Sequence, residues 1–215
     1  MDVLDLFCGC GGFSTGFIEA GFHVKYGIDI DRRVEKTYKF NHPNTEFVLS
    51  DINSLNPESY KDVDIVIGSP PCQDFSRANT KRDHKKGMVL VNEFRTWIEV
   101  IDPEFWIMEN VPSIYRHLTP DLYPKKYILN CANYGVPQIR LRCFSGKFRY
   151  PHPTHSKVAT NTLSNEKLKR WITVGEVIND LNSFILTNQF GNNPKAISPY
   201  YYAKDRPSRT ITTFP

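Results

Sequence analysis

The feature that most restricts the fold is a largely apolar run cut short by two prolines. Val63 to Ile67 leads at once into Gly68-Ser69-Pro70-Pro71-Cys72-Gln73-Asp74-Phe75-Ser76. A short run of this kind reads as a buried strand of a parallel sheet. Proline cannot continue a hydrogen-bonded ladder, so the chain leaves the sheet there. Cys72 is thereby presented just past the strand's carboxyl end, where open α/β sheets place their ligands. Taken alone, such a cysteine is only a candidate nucleophile, because most unpaired cysteines are small buried hydrophobes. Its chemical partners have to come from elsewhere in the chain.

The same grammar recurs on both sides of this stretch. Val3 to Phe7 reads as a strand that enters Cys8-Gly9-Cys10-Gly11-Gly12 and then a helix from about Ser14 to Ala20, ended by Gly21. Glycines at a strand-to-helix turn let a ligand approach the backbone, and the helix amino end offers unpaired N–H groups. The strict dinucleotide pattern fails, because Ser14 stands where a third glycine is required, which argues against a nicotinamide enzyme. His23 to Ile28 forms the next strand and delivers Asp29-Ile30-Asp31. An acid about twenty residues after such a turn can hold a ribose hydroxyl pair. Glu46 to Leu49 delivers Ser50-Asp51-Ile52, and Phe105 to Met108 delivers Glu109-Asn110-Val111. A helix with Val91, Phe94, Ile98 and Ile101 as its buried stripe is expected between the cysteine and glutamate strands. Tyr127 to Cys131 and Leu141 to Phe144 read as a strand pair. Alternation through Gln138, Arg140 and Arg142 would put all three on one face, with two guanidinium groups suited to an anion or a carbonyl oxygen. The fold implied is α/β, with a doubly wound, mainly parallel sheet.

Composition narrows the function class. Five cysteines, without C-x-x-C spacing, exclude a disulfide framework and a zinc site of the usual kind, so a reducing, cytoplasmic setting and no metal are expected. No apolar segment is long enough to suggest a membrane span. A formal net charge of +4 permits a nucleic-acid partner without requiring one. Basic and aromatic residues, among them Lys167, Lys169, Arg170 and Trp171, mark the region after about Tyr150 as a candidate nucleic-acid-reading lobe, with a helix expected over Thr173 to Leu181.

Four motifs in order then make the chain resemble the DNA cytosine-5 methyltransferases: Asp5-Leu6-Phe7-Cys8-Gly9-Cys10-Gly11-Gly12-Phe13, the Gly68 to Ser76 stretch, Glu109-Asn110-Val111, and Gln138-x-Arg140-x-Arg142. Arg206 to Thr212 resembles the family segment that follows its target-recognition region. The resemblance implies a Rossmann-like fold that uses S-adenosylmethionine, with residues 1–146 catalytic, 147–205 a small irregular target-recognition lobe and 206–215 a return segment. It implies methyl transfer to carbon 5 of a cytosine flipped out of a specific duplex DNA sequence, in a restriction-modification or orphan modification enzyme of prokaryotic or viral type. Cys72 would be the nucleophile, Glu109 would hold and protonate the base, and Arg142 and Arg140 would stabilise the addition. Phe7, Gly9, Gly11, Gly12, Asp29, Ile30, Asp51, Ile52 and Pro70 would line the cofactor. Asp29 stands where the family usually has glutamate. The family's last cofactor-side motif is not found before Pro215, so a second small subunit supplying it, or a truncated form, is expected. Two rivals stay open: an RNA cytosine-5 methyltransferase, and a catalytically inactive DNA-binding remnant.

Overall fold

The computed structural model describes residues 1–71, 83–120, 123, 125–161, 167–178, 185–186, 200–201 and 206–209. Cys72, the proposed nucleophile, lies outside the described residues. The chain divides into two units, residues 1–128 with 143–150, and residues 129–142 with 151–215.

The first unit is built on strands β1 (Asp2–Leu6), β2 (His23–Asp29), β3 (Glu46–Leu49), β4 (Ile65–Gly68) and β5 (Phe105–Asn110). Helices α1 (Gly12–Glu19), α2 (Arg32–Asn41) and α3 (His84–Ile101) connect them. Further on come β6 (Lys126–Asn130), the two-residue β7 (Gln138–Ile139) and β8 (Leu141–Lys147). The main sheet runs β3-β2-β1-β4-β5-β8-β6, with β1 to β5 parallel and β8 antiparallel to β5. This is the doubly wound α/β arrangement the strand–turn–helix grammar predicts.

Burial explains why each helix sits where it does. The α3 stripe Val91, Phe94, Ile98 and Ile101 is buried as the spacing predicts, joined by Trp97. It closes a core with Leu4, Leu6, Val66, Trp106 and Met108 from one sheet face. Each such side chain withdrawn from water contributes about 1.5–3 kcal/mol before conformational entropy is counted. On β5 the residues alternate, with Trp106, Met108 and Asn110 buried and Phe105, Ile107 and Glu109 half-buried on the other face. That second face carries Val3, Val24, Ile65 and Ile67, with Phe13, Phe17, Phe22, Phe105 and Ile107 packed against them but only partly buried.

Register sets the positions of the strand ends. Leu6 pairs with both Ile28 and Gly68, and Gly68 pairs with Met108. The first and fourth strands therefore finish level, β2 continues one residue beyond, to Asp29, and β5 two, to Asn110.

In the second unit, strands at His155–Ser156, Thr160–Asn161 and Lys167–Arg170 form a small sheet, and Ser208–Arg209 pairs in parallel with β7. Here one expectation is corrected. The helix predicted over Thr173 to Leu181 is a single turn, Val174–Val177, opened by a capping box between Thr173 and Glu176. Of the apolar residues at helical spacing over this stretch only Val174 is buried, whereas Val177 and Ile178 are 57% and 40% exposed, and Leu181 lies outside the described residues. The cap starts the turn, but Ile178 has left helical conformation (φ −117°, ψ 82°), so this helix ends at Val177.

Candidate active site

The carboxyl ends of β1, β2, β4 and β5 carry the residues singled out from sequence, and the structure shows what holds each. At the end of β1 the backbone makes an unusual turn. Phe7, Gly9 and Gly11 all have positive φ (59°, 54° and 88°). For phenylalanine that conformation is strained by on the order of 1–3 kcal/mol, and it persists only where its surroundings over-determine it. Two bonds tie the turn down: the Cys8 N–H donates to the Ile28 carbonyl (3.0 Å), and the Gly9 N–H donates to Asp29 Oδ2 (2.8 Å).

Asp29 thus has a structural task as well as the ribose role expected of it. Its Oδ1 accepts the Asp31 N–H at 2.8 Å. A carboxylate has about four acceptor positions, so roughly half its capacity is left for a ligand. Ile30 beside it is 67% exposed, an apolar surface at the rim of the turn. Asp51 caps the short helix Ile52–Ser54, accepting the N–H and the side-chain amide of Asn53 at 2.9 and 2.8 Å. Ile52 is 3% exposed and its side chain belongs to the main core, so only its backbone can meet a ligand.

The turn fits a compact, polar ligand lying against the backbone. A Cβ placed on Gly9 or Gly12 would meet nothing within 4 Å, so both open onto free space. The opening amides of α1 have no intrahelical acceptor. Asp5, buried on β1, accepts the Ser14 hydroxyl at 2.6 Å and so ties the first turn of α1 to the strand. Burial, opposed by Ser14 and reinforced by the Asp29 charge, pushes Asp5 up to about 7. Because the ordinary value, 3.8, is lower, folding favours the protonated acid; that stabilisation is complete below pH 3.8 and is lost as pH rises toward 7. Relative to Asp5→Asn, the wild-type protein should melt at progressively lower temperature across this window, by the equivalent of a few kcal/mol on the order-of-magnitude scale. Parallel melting curves for the two proteins from about pH 4 to pH 7 would refute this assignment.

At β4 and β5 the structure reveals a link that the sequence did not announce. Asn110 is 1% exposed and uses both ends of its amide: Nδ2 donates to the Pro70 carbonyl at 3.0 Å, and Oδ1 accepts the Val111 N–H at 2.9 Å. This residue, adjacent to Glu109, therefore clamps the Pro-Pro segment two positions before Cys72. Asn110→Asp would face the Pro70 carbonyl with an acceptor. The expected result is a loss of about 1–3 kcal/mol in stability and a lower turnover with cofactor affinity retained. Unchanged turnover would show that the clamp is dispensable.

Glu109 is half-buried and stands one residue past the level of Gly68, paired in the sheet with Phe144. Of the other thiols, Cys8 is 6% exposed and burial pushes it far up; Cys143 is 1% exposed and burial pushes it up to about 11. Neither suits nucleophilic attack.

Arg140 and Arg142 lie in the second unit. The single strand expected through Gln138, Arg140 and Arg142 is broken: β7 pairs with Ser208–Arg209, β8 joins the main sheet, and Arg140 falls between them. Arg140 is held by its backbone, its N–H donating to Asn130 Oδ1 (3.2 Å) and its carbonyl accepting the Cys131 N–H (3.0 Å). Gln138, Arg140 and Arg142 are nevertheless each partly buried, while Ile139 and Leu141 between them are exposed, so the alternation persists without one continuous strand. In the lobe, Lys167, Lys169 and Arg170 are exposed, whereas the Trp171 indole N–H is used internally by Asn133 Oδ1 at 2.9 Å. Among the described residues there is no His/Cys/Asp/Glu cluster that could hold a metal, and no helix is long and apolar enough to cross a membrane.

The family model for C-5 cytosine-specific DNA methylase matches residues 1–209. The chain belongs to this family. Among curated relatives it is 33% identical over 201 residues to the type II methyltransferase M.DdeI of Desulfomicrobium norvegicum, a match covering 84% of this chain and 48% of that protein. The chain thus spans about half the length of that relative. It is 32% identical over 219 residues to the type II methyltransferase M.AquIA of Picosynechococcus, covering 83% of this chain and 88% of that one. The fold is similar to the crystal structure of a prophage-encoded E. coli protein assigned as a DNA modification methyltransferase. The TM-score is 0.65 at 28% identity, over 90% of this chain and 58% of that one. Family membership implies dependence on S-adenosylmethionine.

Proposed function

We propose that this chain is the catalytic, cofactor-binding part of a DNA (cytosine-5) methyltransferase of the restriction-modification type. The observation that carries the reading is the Asn110–Pro70 clamp. It joins the segment leading to Cys72 to the end of the strand bearing Glu109, as a reaction needing a thiolate and an acid together requires. Carbon 5 of cytosine is a poor nucleophile. In this reading the Cys72 thiolate adds to carbon 6 and makes carbon 5 nucleophilic; once carbon 5 carries the methyl group, a base such as water removes the carbon 5 proton, the ring double bond re-forms and the thiolate is expelled. Glu109 holds the ring by N3 and its amino group and donates the proton that N3 takes up. Arg142 lowers the thiol's pKa and stabilises charge at the ring oxygen, and Arg140 positions it or meets phosphate. The base has to leave the helix to be reached, which is the general behaviour of DNA methyltransferases. S-adenosylmethionine, when bound, supplies the methyl electrophile. Phe7, Gly9 and Gly12 would bed its amino-acid end, Asp29 the ribose, and Ile30 and the Asp51–Ile52 backbone the adenine, with Pro70 closing the site.

DNA is the proposed substrate and the lobe over residues 147–205 its reader, supported by the exposed Lys167, Lys169 and Arg170. A second polypeptide segment is proposed to cover the sheet face around Phe13, Phe17, Phe105 and Ile107, where aromatic side chains stay only partly buried. The test is transfer of a tritiated methyl group by the purified chain to duplex DNA and, separately, to structured tRNA. Label in DNA is expected. Label in tRNA alone would move the substrate to RNA, and fast turnover by the isolated chain would eliminate the need for a second segment.

A further inference from the structure

Several buried groups that the proposed chemistry leaves unused converge beneath the Gly9–Gly12 turn. The most unusual is His42, which follows α2 and is 3% exposed. Its Nδ1 lies 3.0 Å from the Tyr38 carbonyl oxygen. A carbonyl can only accept, so Nδ1 carries a hydrogen and Nε2 is left to accept in the neutral ring. Thr15, on the first turn of α1, has its hydroxyl 2.9 Å from that Nε2. The same hydroxyl donates to the Gly11 carbonyl at 2.9 Å, an oxygen that also accepts the Thr15 N–H at 2.8 Å. The hydroxyl thus lies between that carbonyl and the imidazole, linking the turn to the ring. The ring also packs on Tyr38, with centroids 4.5 Å apart. The Tyr38 hydroxyl is 2.8 Å from Ser14 Oγ, which in turn bonds Asp5.

Sterics point to the same pair of elements. A Cβ at Gly11 would fall inside van der Waals contact with the His42 ring, whereas Gly9 and Gly12 face open space. Gly11 is thus matched to the imidazole beneath the turn, and Gly9 and Gly12 border open space. Glycine takes up the positive φ at Gly9 and Gly11 without strain, and the histidine packs beneath the turn at Gly11, where no side chain would fit.

We propose that His42 is a positioning residue for the cofactor turn: its ring fills the space a side chain at position 11 would take, and ties the first turn of α1 to the end of α2. This rests on the cofactor reading given above. Removing the brace leaves the chain able to fold but lets the turn sample conformations that do not bind, and affinity falls in proportion to the competent fraction.

The experiment compares wild type, Thr15→Val, His42→Ala and His42→Gln by amide hydrogen exchange of the segment 8–15 and by calorimetric titration with S-adenosylhomocysteine. Thr15 is exposed, so its valine variant removes one hydroxyl without disturbing the core. Exchange in the turn is expected to accelerate about tenfold in Thr15→Val and more in His42→Ala, with β1 unchanged. Affinity for S-adenosylhomocysteine should weaken by about the same factor, and His42→Gln, which can still reach Thr15, should recover most of it. Turn exchange and affinity within about twofold of wild type in both Thr15→Val and His42→Ala would overturn the inference. Faster exchange in the variants together with no binding by wild type would instead overturn the cofactor reading.

Discussion

Cys72→Ser is expected to abolish methyl transfer, with a fall of at least about 10³-fold, and to eliminate covalent capture by duplex DNA containing 5-fluorocytosine. The argument is one of acidity. A cysteine thiol has an ordinary pKa near 8.5 and a modest electrostatic shift gives it a large thiolate fraction at neutral pH, whereas a serine hydroxyl stays protonated. Fluorine at carbon 5 blocks the final proton loss, so a live nucleophile remains attached and shifts the protein's mobility on a denaturing gel. The remaining thiols make the prediction sharp. Cys8 and Cys143 are buried, and burial raises both thiols, so neither is a plausible substitute. An adduct that survives in Cys72→Ser would move the nucleophile to Cys10 or Cys131, the more accessible pair.

Gly68→Ala should be among the most damaging single-methyl changes in the first unit. A Cβ at this position would lie 2.6 Å from a ring carbon of Phe94 and 2.9 Å from the Leu6 carbonyl oxygen. Phe94 is fully buried on α3, and the Leu6 carbonyl already accepts the Ser69 N–H at 3.2 Å, so neither neighbour can yield easily. Overpacking of this kind costs about 1–3 kcal/mol, equivalent to a drop in melting temperature on the order of 5 °C for a chain of this size. The functional effect should exceed the thermal one, because Gly68 ends the strand from which Cys72 is displayed. Chemical denaturation gives the stability term and the 5-fluorocytosine trap gives the chemical term. A variant as stable and as reactive as wild type would mean that the α3–β4 contact does not position the nucleophile loop.

The two effects differ in how far they can be read from residue order. That Cys72 sits beyond a strand follows from Val63 to Ile67 and the two prolines, because a buried strand and its termination are local matters of polarity and backbone hydrogen bonding. The third strand, Glu46–Leu49, is likewise where its bounding polar residues put it, and the α3 stripe is where its spacing puts it. Local pattern failed where pairing partners are distant. Gln138, Arg140 and Arg142 keep the alternating exposure the spacing suggests, but Gln138 pairs with Ser208 and Cys143 with Asn110, so the chain changes sheets at Arg140 and no single strand carries all three. Over Thr173 to Leu181 the expected helix begins in the right place but is too long, because the apolar spacing that suggests continuation carries no information about whether a partner surface exists.

Sequence alone determined the alternation of strands and helices, the order of the motifs and the chemical types delivered to the sheet's carboxyl edge, since each depends on neighbours a few residues apart. Only the tertiary structure decided which of those residues also hold the site together. Asn110 reaches Pro70 across 40 positions, Gly9 leans on Asp29 across 20, and Thr15 meets His42 across 27. Such bonds form because burial leaves a polar group no water to turn to, and the partner that then satisfies it is chosen by how the strands are ordered, which no local stretch of chain specifies.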